Sequence, residues 1–562
     1  MNRIKALSSA TALALALMAG TAIGQEAAAP GTPAKEPVAK AHPSKALPKR
    51  VLVVIFDQMR PEYAQRFDMK NVLSLQKSGV HFPKAYLGHT ASETVVSHNV
   101  IVSGVLPRNQ GWVDEMFRDT KNLLGKGANA IWETGAMKTP EFDKLIKDAG
   151  YLKLADYLHH ARPGSKFIVV AQKGYVVDSI ASPTGDIGVK MSDRQKDVSA
   201  ATGCANLGGQ WRFPDGKNVP AYLSEPKCGR YYINSDKAND YGTKAKSPSW
   251  MYPLDGDRMI PGSTKDHQGG DVWVADAAMT MMEKEKWSGM VVSFGGIDKV
   301  AHMWGLEKDA VGANPQTTLA NIAKLADEQF GRLLQKLKDL GQLKDTLIVI
   351  TADHGANNIT KFLGKDESGA SDTNWYYGKM VNSENYNKPP PAIQPLLDTG
   401  NVQASYQGTM IETWLTDSSM DKKREAAKVM RTLPGVAVTY WRNGNRFYLD
   451  AAPGQASANF NAKELAWWEK HGQELVDTMA ADHGPDVVGV LADQFGYGVY
   501  GDHGGMNEND QRIPMAVWSA NIKAEKPGHE LRAVDIVPTV LKAMGIKQTS
   551  EMDGQAWSVK FR

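Results

Sequence analysis

Val51-Leu52-Val53-Val54-Ile55-Phe56-Asp57 is the stretch from which the rest of the chain is read. Its first six residues are all apolar and leave no polar face, whereas a half-exposed strand would alternate. Such a run is expected of a strand covered on both sides in a parallel sheet. Phe167 to Ala171, Gly289 to Phe294 and Thr346 to Thr351 read the same way. Between them lie helical patterns, as from Gln316 to Leu340, where apolar residues recur at spacings of three and four. Strands alternating with helices predict an α/β fold with a central, mainly parallel sheet. No repeat of fixed period interrupts the pattern.

Two segments fit that sheet poorly and are expected to be insertions forming small cap subdomains, at about 195–265 and 356–500. The first is dense in Gly, Asn, Pro and Tyr from Gly203 to Gly262. In the second, Val402 to Leu415 reads as a strand and Asp421 to Leu433 as an amphipathic helix. Val436 to Leu449 reads as a hairpin turning at Asn443-Gly444-Asn445. The catalytic domain is expected to span 50–562.

Arg3 and Lys5, the apolar run Ala10 to Ile23 and the small residues Ala22 and Gly24 read as a signal peptide over 1–24, cleaved before Gln25. A retained anchor is the lesser reading, since the run falls short of the roughly 20 apolar residues of a spanning helix. Residues 25–49, rich in Ala, Pro and Lys, read as a flexible linker. The mature protein is therefore expected to be periplasmic or secreted, with no stable membrane anchor. Loss of Arg3 and Lys5 takes the net charge from +3 to +1, which speaks against a nucleic-acid polymer as partner. The pattern carries no signal of oligomeric state. Cys204 and Cys228 are the only two cysteines. In an oxidising compartment they are expected to form a disulfide, and without a CxxC or a neighbouring His cluster a metal site is the lesser reading.

The acids and histidines fall at strand ends. Asp57 follows the first run directly, and Asp298 and His302 follow the one ending at Phe294. Asp353-His354-Gly355 closes a third, and Gly501-Asp502-His503-Gly504-Gly505 occupies another strand-to-loop junction. Ligands bind at the carboxyl ends of strands in open α/β sheets, so these groups are expected to converge. Alone, an Asp after a strand is more often a turn or cap residue. The set in this order is more specific.

As a set, VLVVIFDQMRPEY, TVVSHNVIVSGVLPRNQGW, GGIDKVAHMWG, ITADHG and GDHGG resemble the alkaline phosphatase superfamily. The likeness is to the branch holding type I phosphodiesterases/nucleotide pyrophosphatases and the monomeric, Thr-dependent alkaline phosphatases. The resemblance implies an alkaline-phosphatase-like three-layer fold and two Zn2+ ions flanking a nucleophilic hydroxyl, with other divalent ions as alternatives. It implies that Asp57, Asp353 and His354 hold one ion together with the nucleophile, and Asp298, His302 and His503 the other. Mixed carboxylate and imidazole sets suit catalytic zinc. Two ions about 4 Å apart stabilise both the attacking and the leaving oxygen. The implied nucleophile is Thr94, at the start of an apolar helical stretch ending at Ser103-Gly104, where unpaired N–H groups favour anions. The alternatives are that Thr94 is an N-cap and that Thr90 is the nucleophile. No Cys or Ser in a sulfatase-type setting occupies this place.

The chain departs from its relatives at two positions. Where they carry an Asn that binds a phosphoryl oxygen, Glu115 stands here, beside Asp114. Where Thr-dependent monoesterases carry Lys-x-Arg, Lys173-Gly174-Tyr175 stands. Lys173 matches as a phosphate-binding residue, but Tyr175 supplies only a neutral donor. A diester carries one negative charge fewer than a monoester, so both departures favour phosphodiesterase or nucleotide pyrophosphatase activity over monoester hydrolysis. Glu115 is expected at the substrate rim, facing a cationic group, and the partner is a small phosphoryl-ester substrate. Phosphoryl transfer to an alcohol and a silent metal-binding protein are the other classes.

Overall fold

The computed structural model describes residues 47–197, 210–223, 232–233, 270–307, 319–363, 375–378, 391–450, 460–497 and 500–562. Residues 1–24, nearly all of the 25–49 linker, most of 195–265 and both cysteines lie outside the described residues.

The apolar runs form the middle of a nine-stranded sheet. Its strands are β1 (Arg50–Phe56), β2 (Val80–His81), β3 (Lys166–Ala171), β4 (Ile187–Asp197), β5 (Gln210–Lys217), β6 (Tyr232–Ile233), β7 (Trp287–Phe294), β8 (Thr346–Thr351) and β9 (Met515–Trp518). Their order in space is β2-β9-β8-β1-β7-β3-β4-β5-β6. The five strands from β8 to β4 run parallel, and the outer strands pair antiparallel. Val51 to Phe56 are each at most 1% exposed. Successive side chains point to opposite faces, so both faces of β1 are covered. Burying side chains of this size contributes about 1.5–3 kcal/mol apiece before entropy is charged against it.

Two groups of helices cover the sheet. Lys70–Ser78, Gly270–Lys284, Gly296–Trp304 and Leu319–Asp339 pack among themselves, and Thr94–Ser103 packs with Gly174–Ala181 and Ile536–Ala543. Three of these bear on the site: α1 (Thr94–Ser103), α2 (Gly174–Ala181) and α3 (Gly296–Trp304). The strand register then positions the chemistry. Phe56 pairs with Phe294, and Ile55 pairs with Thr351. The carboxyl ends of β7, β1 and β8 therefore finish level, and the loops that follow leave from one edge.

A second, six-stranded antiparallel sheet is built from 375–491, here called the cap sheet. The hairpin expected at Asn443-Gly444-Asn445 is present, with Gly444 at φ +58°. Val402 to Leu415 is not one strand. It breaks into Val402–Gln407 and Met410–Leu415, which pair antiparallel about Gly408-Thr409. The turn abuts the His503 loop: a Cβ at Gly408 would lie 3.1 Å from the His503 carbonyl oxygen. Met410, Val438 and Tyr440 of the cap sheet share an apolar cluster with Val95 and Val96 of α1. Among the described residues no helix is long and apolar enough to cross a membrane.

Candidate active site

Each acid or imidazole reaches the centre by a short local device. Asp57 is the first residue past β1, and its N–H donates to the Phe294 carbonyl at 2.9 Å. Gln58 follows with φ +61° and donates its N–H to Asp353 Oδ1 at 3.1 Å. Asp298 and His302 are one turn apart on α3, so both project from the same face. Asp353 and His354 follow β8. His503 is delivered by a two-residue ladder in which Gly501–Asp502 pairs with Asn357–Asn358, just beyond His354. Glu93 is the N-cap of α1 in extended conformation, so Thr94 is the first helical residue rather than the cap.

These groups meet in one buried cluster. His354 Nε2 lies 3.6 Å from Asp57 Oδ1 and 3.3 Å from Asp353 Oδ2. Asp298 Oδ1 lies 2.9 Å from His302 Nε2 and 3.6 Å from His503 Nε2. The two sets adjoin, for the His354 and His503 rings stack at 3.6 Å. Donor atoms of Asp57, Asp353 and His354 lie within 4.8 Å of one another, and so do those of Asp298, His354 and His503. His302 joins the second group through Nε2, 3.3 Å from His503 Nε2. Thr94 Oγ1 lies 3.4 Å from His354 Nε2.

Charge decides what such a cluster can hold. Asp57, Asp298 and Asp353 are fully buried. Burial pushes Asp57 up to about 6, with Asp298 adding to the shift and Lys173 opposing it. Burial and then Asp57 push Asp353 well up. Burial would raise Asp298 too, but His302 and Lys173 outweigh it and hold that carboxyl well below its ordinary range. Asp57 Oδ1 and Asp353 Oδ2 find no hydrogen-bond donor. Buried carboxylate oxygens in that state are costly unless a cation meets them. With its proton on Nδ1, His354 donates to the Gly355 carbonyl at 3.1 Å, which leaves Nε2 free to ligate. The donor set therefore fits divalent cations.

Residues 51–368 match the family model for type I phosphodiesterase / nucleotide pyrophosphatase, more than half of the chain. The chain belongs to that family. That family lies within the alkaline phosphatase superfamily. It is 23% identical over 328 residues to alkaline phosphatase PhoD of Zymomonas mobilis subsp. mobilis, covering 53% of this chain and about half, 51%, of that relative's length. Among solved structures it is similar to wild-type alkaline phosphatase PafA, at 14% identity and TM-score 0.55 over 89% of this chain and 96% of that one. Human ectonucleotide pyrophosphatase/phosphodiesterase 5 gives 12% identity and TM-score 0.50 over 90% and 97%. These structural likenesses show the fold, an alkaline-phosphatase-like α/β architecture on a large, mostly parallel sheet.

Three further residues singled out in this phosphodiesterase-family chain, Lys173, Tyr175 and Glu115, lie near the cluster. Lys173 Nζ lies 2.8 Å from both Asp57 Oδ2 and Asp298 Oδ2 and donates to Thr94 Oγ1 at 3.1 Å. Burial opposes its charge, but Asp298 and Asp57 prevail and hold it well above the ordinary lysine value. Tyr175 is the second residue of α2, half-buried, and its phenol is pushed well up by burial, with Lys173 opposing. Glu115 is half-buried, and its neighbouring charges include Glu93, Glu133, His503 and Lys173. Thr90 turns away: its hydroxyl donates to the Leu475 carbonyl.

Sequence reading missed five residues that touch this cluster or its rim. His98 places Nδ1 2.8 Å from the Thr94 carbonyl and 3.3 Å from Asp353 Oδ2. Burial lowers it to about 3, so it is a neutral imidazole. Burial pushes Asp114 well up, with Glu412 of the cap sheet adding to the shift. Glu93 and Tyr406 form a further link to His503. The position of Glu93 beside Thr94 was a usable signal, but nothing near Tyr406 or Glu412 in the chain points to the site.

Proposed function

We propose that the protein is an exported phosphoric ester hydrolase with two zinc ions and Thr94 as nucleophile, of the phosphodiesterase/nucleotide pyrophosphatase type. The observation that carries this reading is the placement of Thr94 Oγ1 against His354 Nε2 and Lys173 Nζ, beside three buried carboxylates. Asp57, Asp353 and His354 would hold one ion, and Asp298, His302 and His503 the other. The ions would lower the pKa of the hydroxyl and neutralise charge on the phosphoryl group. An inactive threonine-to-alanine variant of murine ectonucleotide pyrophosphatase/phosphodiesterase 5 carries AMP, which accords with a small phosphoester as the substrate.

The reaction is a double displacement. Thr94 Oγ1 bonds to phosphorus as the ester oxygen leaves, and the hydroxyl proton ends on that leaving oxygen. Water then attacks the phosphothreonine, the Oγ1–P bond breaks, and one water proton returns to Oγ1. His98 fixes the first turn of α1 by donating to the Thr94 carbonyl, and Lys173 orients the hydroxyl. Thr94→Ala is expected to abolish turnover while retaining both metals. Near-wild-type activity in that variant would refute the assignment.

Monoester hydrolysis is the second reading, and Lys173 favours it, because its ammonium sits where a dianion would gain from it. Tyr175 offers no second charge, so the diester leads. The ratio of efficiencies on a p-nitrophenyl monoester and bis-p-nitrophenyl phosphate, with added zinc, decides between them. Glu115 at the rim is proposed to favour substrates carrying an ammonium group. Choline- and ethanolamine-phosphoryl esters assayed with Glu115→Gln test this, and unchanged preference ratios would sink it.

A further inference from the structure

Glu93 directly precedes Thr94 and is buried. Its carboxylate is engaged at both ends. Oε2 lies 3.1 Å from His503 Nδ1, and Oε1 accepts the Tyr406 hydroxyl at 2.8 Å. Tyr406 lies in strand Val402–Gln407 of the cap sheet. The backbone is shaped for this approach. Gly504 holds φ +108°, and a Cβ there would collide with Glu93 Oε1. Glycine alone tolerates that conformation readily and leaves the carboxylate its place. Ser92 closes the same junction: its Oγ accepts from the Gly504 N–H at 2.8 Å and donates to the Gly505 carbonyl at 2.8 Å. The Ser92 carbonyl also lies 2.9 Å from His503 Nδ1.

An imidazole that ligates through Nε2 keeps its proton on Nδ1, and a carboxylate there fixes the ring and raises its basicity. The Ser92 carbonyl can fix the tautomer but carries no charge. The charge comes from Glu93. We infer that Glu93 is a positioning residue for His503 and that Tyr406 holds Glu93 to that task, so that the cap sheet sets metal affinity at the centre. The inference rests on His503 being a metal ligand, as proposed above.

The test is zinc affinity, measured by competition with a chromogenic chelator, for the wild type, Glu93→Gln, Tyr406→Phe and the double variant. Wild type is expected to bind two ions. Glu93→Gln should weaken one of them about 10–100-fold, and Tyr406→Phe about 3–10-fold, as for loss of one hydrogen bond. Because Tyr406 acts through Glu93, the double variant should match Glu93→Gln alone. Zinc affinity within twofold of wild type in Glu93→Gln overturns the inference, as do additive effects of the two substitutions. Should Glu93→Gln fail to fold, unchanged affinity in Tyr406→Phe overturns it by itself. A wild type that binds no divalent ion sinks the reading of the centre, and this inference with it. Unaltered variants of a two-zinc wild type sink this inference alone.

Discussion

Lys173 Nζ stands 3.1 Å from Thr94 Oγ1, joining the loop after β3 to the first residue of α1. The same ammonium is 2.8 Å from Asp57 and from Asp298. It therefore ties the hydroxyl to both halves of the cluster.

Lys173→Ala should lower kcat by about 10²–10³-fold, the usual cost of removing one donor aimed at developing charge. The loss should be greater for a p-nitrophenyl monoester than for bis-p-nitrophenyl phosphate, because the monoester phosphoryl group carries one more negative charge. Equal losses would mean that Lys173 serves the carboxylates and not the phosphoryl group.

Chelation should remove activity and also lower the melting temperature, since Asp57, Asp298 and Asp353 would be left buried against one lysine. Added zinc should restore both. A melting curve indifferent to the chelator and to zinc would count against divalent cations at this cluster.

Asp486 anchors the cap sheet. It is fully buried and meets Arg118 at 3.2 Å, Lys423 at 3.2 Å and Arg442 at 3.3 Å, while Leu415 N–H donates to it at 3.0 Å. Burial alone would raise its pKa, but Arg118, the Leu415 N–H, Lys423 and Arg442 hold it below the ordinary 3.8. The stabilisation is present above that ordinary value and is lost as pH falls through the lower, folded-state value. Asp486→Asn leaves the cations uncompensated and should cost about 3–5 kcal/mol in urea unfolding near neutral pH. A loss below about 1 kcal/mol would show that the cations find other partners.

Lys153 behaves in the opposite sense. Its ammonium is buried, donating to Asn99 Oδ1 at 2.8 Å and the Ser179 carbonyl at 2.6 Å, and so links α1 to α2. Burial lowers it from the ordinary 10.5 to about 7, against the pull of Asp156 and Asp143. Between those values the unfolded chain binds a proton that the folded chain does not. Its contribution to stability therefore rises as pH climbs from about 7 towards 10.5. Lys153→Met should flatten that rise, read as the urea midpoint against pH. An identical slope in the variant would place the lysine's proton elsewhere.

The order of residues along the chain carried the fold class and the six acid and imidazole positions, because both depend on local pattern. A strand buried on two faces has to be apolar throughout, as Val51 to Phe56 are, and groups placed just past such strands emerge on one edge of a parallel sheet. The spacing of Asp298 and His302 likewise follows from one helical turn. What depended on distant backbones meeting could not be read this way. Val402 to Leu415 has the composition of one strand, yet it turns at Gly408, packed against the His503 loop. Thr90 and Thr94 differ little as residues, and only the packing of helix Ala462–Val476 draws the Thr90 hydroxyl to Leu475. Glu93 and Tyr406 are 313 positions apart, and their hydrogen bond has no periodicity to announce it. Repeating local geometry leaves a signature in the sequence, whereas a single contact between remote segments exists only once the sheets and helices have packed.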